Sequence, residues 1–532
     1  MMAGKNEPLN TLIQFVQRLA EGETDFEAPL VTEIPGADQD QMQQLNQALL
    51  SLRERLQGLS NVAGQIAGGD LSASVSQASD KDKLGSTLTT ALGNLRRTFA
   101  QVIAGAEALG TAEAQLNDTA TNTGRAVQET VAAFGKVTSH TFDQFSAIKE
   151  VNEGIEQLAQ LATDNPQMQE SIQTIRHGMG TISSTSQENA KITVSIRLTT
   201  NKLLEQVDRI VVTSRSLKGM TIGLQNTMSP YILATQAQRE EALKIAYLPI
   251  TDHLVLPLTY LQLVQTAGGL PLQILRRGSW PEIVDALEDE ADGALILAPL
   301  AIKLFNEGLP IKIIMATHRN GSALVLKKEY DTLDELAGRT VGIPHLHSIH
   351  NVLLYRALEQ AQVGYGSVEV RQDPPPLMPF FLQRGSLDGF ISAEPFPEVA
   401  LNLGAGRIEF LSKDASPNHM CCVLVMRDDV LQEQPEKVTR LIKNFVEIGQ
   451  HIKDNAAAAA RDVAPFYGVI PAVMERVLTN PPDRITYDDL ELHKEEFIEL
   501  GQSMMEMGLL TELPDVDGLV DDRFFQQAVG GA

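Results

Sequence analysis

The chain has 532 residues, more than one hydrophobic core organises, so about two to four domains are expected. Its 43 Lys and Arg against 68 Asp and Glu give a net charge of −25, which argues against nucleic acid and anionic lipid as partners. The 2 cysteines, Cys421 and Cys422, are adjacent, which excludes an ordinary disulfide framework and fits a reducing compartment.

The amino terminus lacks the basic start and unbroken apolar core of a signal peptide. The longest apolar runs, Ala294 to Ile302 and Met420 to Met426, fall far short of the roughly 20 residues that span a bilayer. The expectation is a soluble, cytoplasmic chain with no membrane span.

Residues up to about Met228 are rich in Gln, Ser, Thr and Ala, with apolar residues at three- and four-residue steps, and read as all-α. Residues 59–100 hold two amphipathic helices around Gly68-Gly69-Asp70-Leu71. Asp82-Lys83-Leu84-Gly85 restarts the second helix, with Asp82 placed to cap it. This ordered set resembles a HAMP domain, the parallel helical signalling module of receptors, and the resemblance implies that Leu71 and Val75 tuck between helices. Residues 1–58 echo it weakly, through Ala20-Glu21-Gly22 and Asp40-Gln41-Met42. A plain helical dimerisation stalk is the alternative.

Residues 101–235 continue as a coiled coil. Ile192, Ile196, Thr199, Leu203, Val207, Ile210, Ser214 and Leu217 step by four and three along one seam, weakened by its Ser and Thr. Asp164-Asn165-Pro166 reads as a helix stop and restart, giving a helical hairpin or a bend. The layout resembles a shortened methyl-accepting receptor, without that family's tip sequence.

Residues 240–510 change texture. Short β-branched runs (LKIAYLPI, LPLQIL, GALILAP, IKIIMATH, TVGIP, VEVRQD, LDGFIS, CCVLVM) alternate with helices, the rhythm of an α/β body with mostly parallel strands. Ligands of such sheets bind where strands end in loops leading into helices. Six such places are Pro249 to His253 (with Thr251 and Asp252), Trp280, Pro299, Asn320 with Ser322, Ser348 with His350, and Glu394. The segments RRGSWPEIVDALEDEADGALILAPLAI, LAGRTVGIPHLHSIHNVLLYRALEQAQV and DPPPLMPFFLQRGSLDGFISAEPFPEVALNLGAG resemble the nitrate, sulfonate and bicarbonate class of ABC-transporter substrate-binding proteins, related to thiamine-pyrimidine binders. The resemblance implies a two-lobed, type II periplasmic-binding-protein-like fold closing over a ligand. It implies that Trp280 and His350 line the site and that Glu394-Pro395-Phe396 stands for Glu-Pro-Trp. Ser322 replaces a Gln of nitrate binders and Cys422 a Lys, so the cation for a buried anion is lost.

His345, His347 and His350 form H-x-H-x-x-H without a carboxylate and read as loop packing and capping, so no metal site and no cofactor are expected. The adjacent cysteines read as buried strand residues. No catalytic constellation is found, and the chain is not expected to be an enzyme. Residues 511–532 form an acidic tail with Phe524-Phe525, read as a frayed end, with a partner-binding tail as the alternative.

The expectation is a multidomain sensor: an α/β module binding a small anion or related metabolite, relayed to a HAMP-like and coiled-coil region that pairs with itself and meets a signalling protein. An oligomeric scaffold with a ligand-blind module, a transporter-associated solute-binding protein, and a pyrimidine-converting enzyme are the alternatives.

Overall fold

The structure is a computed structural model describing residues 7–24, 39–76, 79, 81–162, 165–266 and 269–530. It divides into two compact units, Leu109–Gly223 and the remainder (Met1–Ala108 with Leu224–Ala532).

The first unit comes from the long helices α3 (Lys83–Leu161) and α4 (Pro166–Met228), labelled after α1 (Glu7–Ala20) and α2 (Gln39–Ala67). Within it the helices run antiparallel. Arg176 pairs with Glu156 at 2.7 Å, and Ser214 Oγ donates to Glu113 Oε1 at 2.8 Å. Pro166 opens α4, where its missing amide costs no bond, and Asn165 Oδ1 accepts the Met168 amide. Asp164 lies outside the described residues.

The predicted seam divides in two. Val207 and Ser214 are buried, in line with Ser186, Thr193, Thr200 and Thr221 at seven-residue spacing, whereas Ile192, Leu203 and Ile210 are 48%, 39% and 36% exposed. Small residues suit the inner line because, Ser214 apart, their hydroxyls are satisfied within their own helix. Ser186, Thr193 and Thr200 each donate to a carbonyl four residues earlier in α4.

In the second unit, α1 and α2 share a small core of Phe15, Leu19, Met42 and Leu49. The stretch linking them, 25–38, lies outside the described residues. After α2 the chain turns at Gly69 (φ 88°), a left-handed position that favours glycine, and buries Leu71. Asp70 accepts the Ser72 amide and hydroxyl, Arg96 donates to the Leu71 and Ala73 carbonyls, and Asp82 Oδ1 caps α3 through the Gly85 amide at 2.8 Å.

The α/β body has two five-stranded sheets. One is ordered β2-β1-β3-β11-β4, from Leu272–Arg276, Leu243–Tyr247, Gly293–Leu297, Cys422–Arg427 and Ile311–Ala316. The other is β10-β6-β9-β7-β8, from Arg407–Leu411, Ser322–Leu326, Gly389–Ala393, Thr340–Ile343 and Glu369–Gln372. Both are mixed, against the expectation of mostly parallel strands. β1 pairs parallel with β2 and β3, but β11 runs antiparallel to β3 and β4, and β6 to β9 and β10. The reversal comes from connectivity: the chain crosses from the first sheet to the second after β4 and returns into β11, which enters against its neighbours.

The two crossings lie side by side. The Asn320 amide donates to the His419 carbonyl at 3.0 Å, and β5 (Arg319–Asn320) pairs with Ile485–Thr486. The carboxyl-terminal segment is part of this body and not frayed. Phe524, Phe525 and Ala528 of the helix Arg523–Gly530 are buried in its core, since two adjacent rings on an amphipathic helix lose too much by staying in water.

Candidate ligand cleft

The crossings place the ends of both sheets around one buried polar cluster. From the first sheet, the loop after β1 carries Thr251, Asp252 and His253, all fully buried. Thr251 donates through its amide and its hydroxyl to the Glu394 carbonyl of the other sheet, at 2.9 and 2.8 Å. The Tyr487 hydroxyl in turn donates to the Thr251 carbonyl at 2.8 Å. Trp280 opens its helix with the indole buried, and His253 meets its ring edge-on at 6.0 Å between centroids. Pro299 sits in the first turn of Ala298–Asn306, a helix whose Ala298 amide donates to the Cys421 carbonyl.

From the second sheet, Ser322 at the start of β6 shares a 2.9 Å hydrogen bond between its Oγ and His350 Nε2. Ser348 caps the helix Ile349–Gln360 by accepting the Asn351 amide, which fixes His350 in its first turn. Asn320 holds φ 62° and gives its side-chain amide to the Asp483 carbonyl, so it anchors the crossing. Glu394 is likewise tied up: Arg484 donates to its Oε1, and the Glu398 amide to its Oε2.

Sequence reasoning missed His318, Cys421 and Arg484 as members of this centre. Asp252 Oδ2 lies 3.4 Å from His318 Nε2, 3.1 Å from Cys421 Sγ and 3.5 Å from Cys422 Sγ. Only the position of His318 at a strand end signalled it. His345 and His347 stand apart from the cluster on a half-buried loop, so the H-x-H-x-x-H triad does not converge.

Burial pushes the Asp252 carboxyl up, but His318, through charge and hydrogen bond, with His350 and His253 behind it, holds its pKa at about 2. Burial pulls His318 down, and Asp252 more than reverses this, to about 9. His350, with burial dominant, falls to about 4 and is neutral. Burial raises the Cys421 thiol, whereas hydrogen bonds from Cys421, His253 and His318 overcome burial at Cys422 and bring it to about 6. The centre therefore sets one imidazolium against the Asp252 carboxylate and the Cys422 sulfur and keeps a neutral His350 beside them. Trp280 Nε1 and His350 Nδ1 are buried donors or acceptors without a partner among the described residues, which is how a site presents itself to a polar ligand.

Residues 236–466 match the NMT1-like family model. The chain is 29% identical over 241 residues to the nitrate import ATP-binding protein NrtC of Synechocystis, covering 40% of this chain and 35% of that one. It is 25% identical to the taurine-binding periplasmic protein of Escherichia coli, covering 47% of this chain and 82% of that one. The chain thus spans about a third of the length of NrtC and of the bicarbonate transport ATP-binding protein CmpC of Synechococcus elongatus, at 35% and 36%.

Among solved structures, the ligand-binding component of an ABC-type import system from Staphylococcus aureus, solved with zinc bound, superposes with a TM-score of 0.51. It has 24% identity and covers 54% of this chain and 99% of that one. The periplasmic nitrate-binding protein NrtA of Synechocystis also gives 0.51, at 17% identity, covering 55% and 89%. No helix among the described residues is long and apolar enough to cross a membrane. The carboxyl-terminal part of the chain therefore carries an NMT1-like substrate-binding fold resembling nitrate- and taurine-binding proteins.

Proposed function

We propose that the chain is a cytoplasmic small-molecule sensor, in which the cleft of the α/β body binds its ligand and the amino-terminal helices, HAMP-like at residues 59–100, relay the bound state to a signalling partner. The observation that carries this reading is the seat of α3 on the binding body. Ala100 and Ala104 of α3 are buried in the same core as β1 and the helix Val255–Gln265. Arg97 pairs with Asp462, Gln101 donates to the Asp462 carbonyl at 3.0 Å, and the Ile232 amide donates to the Gly69 carbonyl at 3.0 Å.

Between these contacts lies a cavity of about 870 Å³ lined by Arg96, Glu107, Tyr260 and Phe466 among others, which leaves the helix room to shift. A change of lobe closure at β1 has a short mechanical route into α3.

An apolar row on α4 supports the same reading. Ile175, Ile182, Leu203 and Ile210 form a half-exposed apolar row on α4 at multiples of seven residues, suited to a second copy. Free, buried Cys421 and Cys422 fit a reducing compartment.

The test is a thermal-shift screen of the full chain against nitrate, bicarbonate, sulfonates and pyrimidine precursors. A ligand at 100 times its Kd adds about 2.7 kcal/mol of apparent stability. A shift abolished by His350→Ala, with ligand-dependent cysteine crosslinking between copies along the α4 row, is the expected result. Crosslinking unchanged at saturating ligand overturns the relay.

A further inference from the structure

Asp252, His318, Cys421 and Cys422 are fully buried, and one donor atom of each lies within 4.8 Å of all the others. The two sulfurs are 4.0 Å apart, and Asp252 Oδ2 is 3.1 to 3.5 Å from the sulfurs and from His318 Nε2. A tetrahedral centre with bonds of about 2.3 Å to sulfur and about 2.0–2.1 Å to nitrogen or oxygen has edges of about 3.3–3.8 Å. Four of the six edges thus stand close to those of one coordination tetrahedron, and the remaining two, from His318 to the sulfurs, are within 4.8 Å.

Their convergence is not what a strand delivers by default. Adjacent strand residues point to opposite faces. Here Cys421 precedes β11, which begins at Cys422, and both thiols donate to the same carboxylate oxygen. A second, independent observation points to a ligand: the other oxygen of that carboxylate, Asp252 Oδ1, and the other ring nitrogen, His318 Nδ1, are buried without hydrogen-bond partners among the described residues. Such groups are uncommon in a folded protein unless something unseen accounts for them.

We infer that Asp252, His318, Cys421 and Cys422 bind one borderline-soft divalent cation of the Zn²⁺ class. Two thiolates and an imidazole exclude Mg²⁺ and Ca²⁺, which take oxygen ligands, and four protein donors describe a closed tetrahedral site. Two thiolates and one carboxylate outweigh the charge of a divalent cation, so the loaded site is closed and leaves Trp280 Nε1 and His350 Nδ1, without partners among the described residues, to any small molecule. The cation is then itself what the floor of the cleft recognises.

The place is mechanically apt. His318 lies on the crossing that leaves β4, the cysteines on the crossing that returns into β11, and Asp252 on the loop after β1. One ion would fasten all three. The inference rests on the reading of the cleft as a ligand site and names the chemistry of its ligand; it does not rest on the relay to the helices.

The untagged full-length chain, freed of metal and kept under a non-chelating reductant, is titrated with Co²⁺ and then with Zn²⁺. Expected are one equivalent per chain, thiolate-to-Co²⁺ charge-transfer absorption, the intense visible bands of a tetrahedral site, and displacement by Zn²⁺. The Cys421→Ser/Cys422→Ser variant loses the charge-transfer band, and His345→Gln/His347→Gln keeps it. Because the serine variant can fold poorly, Asp252→Asn, nearly equal in volume, is titrated beside it and binds at least about tenfold more weakly. No charge-transfer band at saturating Co²⁺, an unchanged band in the serine variant, or wild-type affinity in Asp252→Asn overturns the inference. A thermal shift by nitrate or a sulfonate, lost in His350→Ala, in a chain that binds no Co²⁺ overturns it while leaving the cleft a ligand site.

Discussion

Arg484 reaches the cleft from a segment 90 residues beyond Glu394, donates to that carboxylate and to Glu398 Oε2, and is almost wholly buried. Removing one partner of such a pair leaves an uncompensated buried charge, so Arg484→Met should cost about 3–5 kcal/mol in denaturant unfolding. Adding Glu394→Gln and Glu398→Gln should return a substantial part of that, because no charge is then stranded. A second residue-scale effect concerns pH. Burial, followed by the neighbouring His347, holds His345 down at about 4, and its Nδ1 accepts the His347 amide only while the ring is neutral. The unfolded chain takes up a proton near the ordinary value of about 6.5 that the folded chain refuses, so this contribution is present above about pH 6.5 and is lost as pH falls toward 4. Melting midpoints measured from pH 7.5 to 5 should therefore fall less steeply in His345→Asn than in the parent chain. At this scale the placement of Thr251, Asp252, Trp280, Ser322 and His350 around one cluster was legible, since each stands at a strand or helix boundary within one short segment. His318 and Arg484 were not, because their partners lie far along the chain and no local pattern marks the meeting.

An element's sequence constrains what touches it, and Gly449 in the helix Pro435–Asp454 shows this sharply. A Cβ there would overlap the Tyr487 carbonyl, so the helix accepts that strand end only at a glycine. Gly449→Ala should cost about 1–3 kcal/mol. Because the Tyr487 hydroxyl holds the Thr251 carbonyl, it should also weaken ligand binding without touching the cleft, which a thermal shift at fixed ligand reads directly. In α4 the argument runs the other way. Thr193 and Thr200 bury hydroxyls that bond only to their own helix, so valine at both positions keeps the shape and adds apolar burial on the order of 1 kcal/mol in all. Circular dichroism melting should show the gain. The period of this helix was plain in the sequence, but its phase was only half right: Val207 and Ser214 of the predicted seam are buried, whereas Ile192, Leu203 and Ile210 face outward and the antiparallel partner takes the line of Ser186, Thr193 and Thr200. The apolar row left outside suits a further helix, and a single chain's pattern does not distinguish the two.

For the molecule as a whole, the division between a helical part and an α/β part was legible from texture alone, because periods of 3.6 and 2 cannot be mistaken over hundreds of residues. The carboxyl-terminal Phe524 and Phe525 were misread, since a short amphipathic helix gives no hint of the groove that receives it. Least legible was the junction between the parts, where Arg97 of α3 meets Asp462 across 365 residues of sequence. Both side chains keep partial exposure, at 30% and 25%, so the pair adds no more than about 1 kcal/mol to stability. Its value lies in position, on the first turns of α3 that pack against the binding body. Arg97→Ala should consequently leave the melting midpoint and the ligand-induced thermal shift nearly unchanged. It should weaken the dependence of inter-copy crosslinking on ligand. Binding and relay are separable only if the coupling free energy resides in this contact and its neighbours. Crosslinking that still follows ligand in Arg97→Ala and in Asp462→Ala alike would place the route through Ala100 and Ala104 instead, where a larger side chain such as Ala104→Leu would wedge α3 from its seat and should abolish the response.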